Sequence, residues 1–183
     1  MRGKQTVRDM VLSMVVIGAV VGVIYLFIPH DEQSDRMKPV NYELELVTAQ
    51  RAAPYPVLAP KGLPGEWKPT SVSYQGLKGD AWHLGFLDPD REYVAVEQST
   101  RPVGKFIPEV THQARNTGET RQVRNAAWQI WEGPKYDALV RVDKGSTTVV
   151  TGTAPIARLA EMAAALESAP AAKPSFPAPA PKA

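Results

Sequence analysis

Histidines are the side chains best suited to move a proton or hold a metal ion at neutral pH, and the chain has three: His30, His83 and His112. None has the His-x-His or His-Glu-x-x-His spacing that brings two ligands onto one metal ion. His83 would suit a general base if the fold brought Asp80 or Asp88 beside it. A single strand histidine that faces solvent or is lightly packed is the more common arrangement, and we favour it here.

Four carboxylates could converge in the folded chain without leaving a sequence motif: Asp80, Asp88, Glu97 and Asp137. Two carboxyl groups within about 10 Å of each other in a cleft would suit glycoside hydrolysis. An envelope hydrolase with dispersed carboxylates is therefore our alternative prediction. Nucleophile motifs give it no support, because Gly-x-Ser-x-Gly is absent and Ser146 falls in a predicted hairpin turn.

Other reactive groups are excluded by composition or spacing. The chain has no cysteine, which removes thiol catalysis, disulfide bonds and cysteine zinc sites. Asp88-Pro89-Asp90 begins like a calcium loop but lacks the later Gly and Glu, so it predicts a turn. No glycine-rich phosphate loop occurs. We predict no catalytic residues, no cofactor and no metal, and expect that the protein is not an enzyme.

The four tryptophans are Trp67, Trp82, Trp128 and Trp131. An exposed tryptophan can stack on a sugar ring or anchor a protein partner. Trp128 and Trp131 point to opposite faces of one predicted strand, so one of them is expected outside the main core. Burial under a helix or loop is the favoured interpretation for these side chains.

The charge pattern predicts no nucleic-acid partner. The 21 basic and 19 acidic residues give +2, but three of the basic and one of the acidic residues precede Met10. The remainder is neutral, so the pI of about 8.8 does not indicate a basic surface.

Arg115, Arg121 and Arg124 near the predicted sheet edge could meet an anionic lipid or wall polymer. Solvated charges that keep the edge from aggregating are the favoured interpretation.

An uncharged run near the N-terminus, MVLSMVVIGAVVGVIYLFI, occupies residues 10–28. As a helix it would be about 28 Å long, close to the hydrocarbon thickness of a bilayer. No Ala-x-Ala-like cleavage site follows Phe27, which argues against an export signal that is removed. We predict a transmembrane helix at 10–28 that contacts the lipid bilayer. Gly18 and Gly22 could pair two such helices in a homodimer, although tolerated glycines are the favoured interpretation.

Basic residues before the run predict its orientation in the plasma membrane. Arg2, Lys4 and Arg8 lie in the segment 1–9, which is expected to stay in the cytoplasm as a short stub. The protein is then a single-pass membrane protein, and everything after the run lies outside the cytoplasm.

The remaining chain divides into three parts. Residues 29–39 are polar and predict a tether, and residues 40–168 have the size of one domain. Residues 169–183 contain five prolines and six alanines, a composition that predicts a disordered tail.

The domain is predicted to be α+β, with helices covering one face of an antiparallel sheet. Alternating apolar residues predict strands at 40–46, 70–74, 82–86, 93–98, 126–132, 136–142 and 147–151. Prolines predict an irregular loop at 53–69. Helical spacing predicts helices at 106–115 and after a Thr153 N-cap, where Ile156, Leu159, Ala163 and Leu166 share a side.

Several stretches resemble a known family: RDMVLSMVVIGAVVGVIYLFIPHD, APYPVLAPKGLPGEWKPTSVSY, AWHLGFLDPDREYVAVEQST, KYDALVR and TTVVTGTA. They are similar to the actinobacterial membrane proteins grouped as domain-of-unknown-function family 4245, over about residues 4–166. The resemblance implies the same single-span layout and supplies no activity or site residues. We therefore expect a membrane-anchored cell-envelope protein whose domain binds a protein, lipid or wall component.

Overall fold

The computed structural model describes residues 3–27 and 40–168, and within the first range it describes the side chains of residues 7–23. The two ranges belong to separate compact units, which are described one at a time. The predicted tether at 29–39 and the predicted disordered tail at 169–183 lie outside the described residues.

The first unit contains one helix, α1 (Gly3–Phe27), so most of the predicted stub at 1–9 is helical. The large apolar side chains from Val7 to Val23 are 51–73 % exposed. Within the part of the chain that the structure describes, no helix is both long and apolar enough to cross a membrane. The predicted span at 10–28 ends at Ile28, which lies outside the described residues.

The second unit is α+β with an antiparallel sheet, as predicted. Its helices are α2 (Glu43–Ala52), α3 (Val103–Val110) and α4 (Ile156–Ala165). Its strands are β1 (Leu58–Pro60), β2 (Lys68–Gln75), β3 (Ala81–Leu87), β4 (Tyr93–Ser99), β5 (Arg115–Val123), β6 (Ala126–Glu132), β7 (Asp137–Asp143), β8 (Ser146–Gly152) and β9 (Leu166–Ser168).

Seven strands form the main sheet in the order β2-β3-β4-β8-β7-β6-β5, and β1 pairs with β9 in a separate two-stranded sheet. The strands predicted at 82–86 and 93–98 pair as a β3–β4 hairpin, and those predicted at 126–132, 136–142 and 147–151 form a β6-β7-β8 meander, which confirms the antiparallel pairing. The sequence missed β5, whose RNTGETRQV stretch has no apolar alternation and pairs only with β6 at the sheet edge. It also missed β1 and β9, which are three residues long.

Helices lie on both faces of the sheet, so the prediction that they cover one face is wrong. Leu159 and Met162 of α4, together with Ala49 of α2, join the main core. We call this side the core face. Phe106 and Ile107 of α3 pack against Ala138, Val140 and Val149 in a second cluster. Val149 and Val150 belong to different clusters because neighbouring strand residues point to opposite faces. We call the second side the α3 face.

The predicted strand at 40–46 is instead the start of helix α2. Tyr42, Leu46 and Ala49 pack on the core at helical spacing, whereas Leu44 is 79 % exposed. Glu43 and Glu45 in the first turn favour a helix through its dipole. The apparent alternation therefore came from a helix that buries one side.

The other two helices were predicted with shifted bounds. α3 begins before the predicted 106–115 helix and ends at Val110, and Arg115 already belongs to β5. α4 starts after Pro155 rather than after a Thr153 cap. The Thr153 hydroxyl accepts a hydrogen bond from the Tyr93 backbone N–H instead. Leu166 lies in β9 and not in the helix.

Candidate functional site

A hydrogen-bonded chain of polar side chains crosses three neighbouring strands on the α3 face. Glu97 Oε1 on β4 lies 2.5 Å from His83 Nδ1 on β3. The other ring nitrogen, His83 Nε2, lies 2.8 Å from the Ser71 Oγ on β2. Tyr93, on the same strand as Glu97, brings its phenol oxygen close to Ser71 Oγ beside Gly85. We call these four residues the polar site.

The strand pattern explains why these side chains meet. Trp82, Leu84 and Phe86 fill the core face, so His83 must point to the α3 face. Antiparallel pairing places His83 directly opposite Glu97. Helix α3 packs on neighbouring residues of the same face, and one of them, Val149 of β8, pairs with Glu97.

Gly85 makes room for the contact between Ser71 and Tyr93. A Cβ atom at this position would lie 2.4 Å from Ser71 Oγ and 3.0 Å from Tyr93 Oη. Gly85 pairs with Ser71 on one side and with Ala95 on the other. The absence of a side chain at Gly85 therefore lets the Ser71 and Tyr93 side chains approach each other above it.

The imidazole and the carboxylate of the polar site influence each other's protonation. Partial burial disfavours the charged imidazole, but the hydrogen bond and the charge of Glu97 outweigh it and raise the pKa of His83. Burial raises the pKa of Glu97, and the hydrogen bond and charge of His83 offset only part of this. Both shifts favour a state in which the imidazole and the carboxyl group share one proton.

Burial, together with the charge of Glu97, raises the pKa of Tyr93 to about 12. Its phenol therefore stays neutral at physiological pH and keeps a hydroxyl that can donate a hydrogen bond.

The free energy of unfolding should fall as pH rises from about 6 to 8. The pKa of His83 is higher in the folded chain, so the folded state binds the proton more tightly than the unfolded state. This stabilisation is complete below the unfolded value near 6.5 and is lost as pH passes the folded value. We expect a loss on the order of 1 kcal/mol, measured by urea unfolding at pH 6, 7 and 8.

The variant His83→Gln separates this effect from other titrations, because it should show a flatter pH dependence than the wild type. An unchanged slope in His83→Gln would show that the polar site does not control the pH dependence.

Two pairs among the four carboxylates named from the sequence are held apart. Asp80 and Asp88 flank β3, which separates them by roughly 25 Å. Glu97 pairs with Val149 on the α3 face, while Asp137 pairs with Gly152 on the core face. Neither of these two pairs therefore has the geometry of a glycosidase pair. His83 lies beside Glu97, and not beside Asp80 or Asp88 as considered from the sequence.

Three of the tryptophans are buried in the main core: Trp67, Trp82 and Trp128. Trp131 packs against the second cluster on the α3 face and is half-buried, which confirms that one of the Trp128 and Trp131 pair lies outside the main core. Its indole N–H donates to Gln129. None of these four offers a fully exposed ring as a binding platform.

The remaining candidates take ordinary positions. Arg115 and Arg121 lie on the edge strand β5, and Arg124 follows in its turn, all exposed as expected for solvated edge charges. Ser146 directly follows the β7–β8 turn. His112 is exposed and its ring meets the Tyr136 ring at 4.8 Å. His30 lies outside the described residues.

A second feature is a cavity of about 330 Å³ beside helix α2. Apolar walls come from Tyr42, Leu46, Ala59 and Pro60, in α2, the residue before it, and β1. Its polar lining consists of Glu43, Gln50, Lys61, Glu167 and Ser168. We call it the α2 cavity. The described residues contain no group of three or more side chains that could hold a metal ion.

Sequence reasoning missed the polar site because Ser71 belongs to no motif and Glu97 was considered only as one of several carboxylates. It missed the α2 cavity because α2 was taken for a strand.

Comparison with known proteins places the chain in a family without assigning it an activity. No curated protein matches the chain. The model of the family "Protein of unknown function (DUF4245)" matches residues 2–166, and the chain belongs to this family, as the resemblance predicted.

Proposed function

We propose that this protein is a membrane-tethered cell-envelope protein whose α+β domain lies outside the cytoplasm and binds a ligand in the α2 cavity. Its ligand is a small, partly apolar molecule with a polar group. The size and lining of the cavity carry this proposal, and binding there requires no catalytic group.

The cavity has the properties of a small-molecule site. Its volume of about 330 Å³ falls at the lower end of the 300–1,000 Å³ usual for ligand pockets. Tyr42 and Leu46 offer apolar contact, and Gln50 offers both a donor and an acceptor. Lys61 and Glu167 form an exposed ion pair at 3.6 Å, which is weak enough to rearrange around a ligand.

The anchor is proposed from the sequence. The run at 10–28 has no charged residue, and the stub before it is basic. Residues 3–27 form one continuous helix, and its large apolar side chains from Val7 to Val23 are exposed. Such a surface needs lipid or another protein to cover it. Pairing of two chains through Gly18 and Gly22 remains a prediction.

The fluorescent probe 8-anilinonaphthalene-1-sulfonate tests the cavity, because it combines apolar rings with one anionic group. Leu46→Trp fills the cavity, whereas Leu44→Trp changes a residue on the exposed side of the same helix. We expect saturable binding to the domain of residues 40–168 and to Leu44→Trp, and at least tenfold weaker binding to Leu46→Trp. Equal affinities of folded Leu44→Trp and Leu46→Trp would overturn the proposed site.

Protease added to intact cells tests the location separately. A tag after residue 183 should be removed from the outside, while a tag before Met1 should be protected. Protection of the C-terminal tag would overturn the proposed orientation without affecting the cavity.

A further inference from the structure

The polar site has the connectivity of a nucleophile, a base and an orienting acid. One imidazole joins a hydroxyl and a carboxylate through its two different ring nitrogens, at 2.8 Å to Ser71 and 2.5 Å to Glu97. Such arrangements are recognised by geometry and by role, because the order of the residues along the chain differs between unrelated folds. Here the order is serine, histidine, glutamate.

The site is also reachable from solvent. The His83 side chain is 28 % exposed and the Glu97 side chain 14 %, so the imidazole is accessible while the acid is largely covered. Ser71 is half-buried. An ester carbonyl that reaches the exposed part of the imidazole would also lie near the Ser71 hydroxyl, which is 2.8 Å from Nε2.

Tyr93 supplies a hydrogen-bond donor next to the nucleophile. Its phenol oxygen lies beside Ser71 Oγ, since a Cβ at Gly85 would meet both atoms, at 3.0 and 2.4 Å. The phenol stays protonated at neutral pH, because burial raises its pKa to about 12. A donor beside the attacked carbonyl would stabilise the oxyanion that forms there. One donor provides less stabilisation than two, which suits an ester better than the less reactive amide.

We propose that Ser71 is the nucleophile of an acyl-transfer site that hydrolyses carboxylic esters, with His83 as general base and acid and Glu97 as its positioning residue. This inference goes beyond ligand binding in the α2 cavity and does not depend on it. It also departs from the expectation, drawn from the absence of motifs, that the protein is not an enzyme.

The reaction has two steps, acylation of Ser71 and hydrolysis of the acyl-enzyme. Ser71 Oγ adds to the ester carbonyl carbon while its proton passes to His83 Nε2, and Tyr93 donates to the developing oxyanion. Collapse breaks the carbon–oxygen bond to the alcohol, which leaves with the proton from His83 Nε2, and Ser71 keeps the acyl group. Water then attacks in the same way, releasing the carboxylic acid and restoring the serine. The Glu97 carboxylate accepts a hydrogen bond from His83 Nδ1–H throughout.

A fluorophosphonate probe tests the nucleophile, since it phosphonylates activated serines. With the full chain in proteoliposomes at pH 8, peptide mapping should find the label on Ser71. Ser71→Ala should lose it, and His83→Gln should label at least 100-fold more slowly. The control Ser73→Ala changes the neighbouring serine on the same face of β2 and should label like the wild type. Absence of label from wild-type Ser71, or wild-type labelling of His83→Gln, would overturn the proposal.

Two further variants distinguish a catalytic Ser71–His83–Glu97 chain from one that only stabilises the fold. Glu97 is the charged group that faces His83, and β2 presents the uncharged Ser71 hydroxyl. Glu97→Gln should therefore slow p-nitrophenyl acetate hydrolysis and move the acid limb of its pH profile to lower pH. Gly85→Ala would press Ser71 Oγ away from its place, so labelling should fall although all four polar groups remain. An unmoved pH profile in Glu97→Gln would count against the assigned role.

Discussion

Replacing Gly152 by alanine should lower the free energy of unfolding by at least about 3 kcal/mol, more than a single added methyl group usually costs. The new Cβ would lie 1.8 Å from the Tyr93 carbonyl oxygen and 2.7 Å from its carbonyl carbon. Both are backbone atoms, so no side-chain rotation can relieve the overlap. Strand β8 would have to separate from β4, with which Gly152 pairs through Val94.

Urea unfolding followed by circular dichroism measures this effect. The matched control is Gly104→Ala, because a Cβ there meets no heavy atom within 4 Å. It should change the free energy of unfolding by less than about 1 kcal/mol. A Gly152→Ala variant as stable as Gly104→Ala would mean that β4 and β8 are not packed as described.

Gly152→Ala should also disturb the polar site, because two of its four residues lie on β4. This strand carries both Tyr93 and Glu97, and Gly152 contacts its backbone at Tyr93. If Gly152→Ala still folds, its serine labelling should drop together with its stability. Gly85→Ala should lose labelling with a smaller loss of stability than Gly152→Ala, because its Cβ meets side-chain atoms that can move aside.

The strands with regular alternation could be read from the sequence. Trp82, Leu84 and Phe86 face the core as their spacing predicts, because a half-buried strand places every second side chain against the core. The same rule failed at Leu44 and Leu46, where four alternating residues were too few to distinguish a strand from a helix. Only tertiary packing decides such a segment.

The polar site could not be predicted because it depends on register across three strands. Both Ser71 and Ser73 lie on the side of β2 that faces His83, and pairing places Ser73 directly opposite it. A bulge between Pro69 and Ser71 shifts the local register, and the hydroxyl that reaches the imidazole is that of Ser71. No local signal in the sequence marks that bulge. The α2 cavity depends in the same way on long-range pairing, since β1 and β9 are 106 or more residues apart.

Replacing Trp82 by alanine should lower the free energy of unfolding by about 3–5 kcal/mol. Its side chain is fully buried in the main core, and its indole N–H donates a hydrogen bond of 3.0 Å to the Leu58 carbonyl. The substitution removes the largest buried side chain on β3 and leaves that carbonyl without its indole partner. Urea unfolding measures the loss, and half-buried Trp131→Ala should lose clearly less.

The variant Trp82→Phe separates packing from the hydrogen bond. It retains most of the apolar ring, so its cost should be about 1–3 kcal/mol, chiefly from the carbonyl of Leu58 losing its donor. Leu58 belongs to β1, whose next two residues, Ala59 and Pro60, line the α2 cavity. Trp82→Phe should therefore also weaken probe binding there while fluorophosphonate labelling of Ser71 persists. Equal loss of both in a folded Trp82→Phe would mean that the cavity and the polar site are not independent.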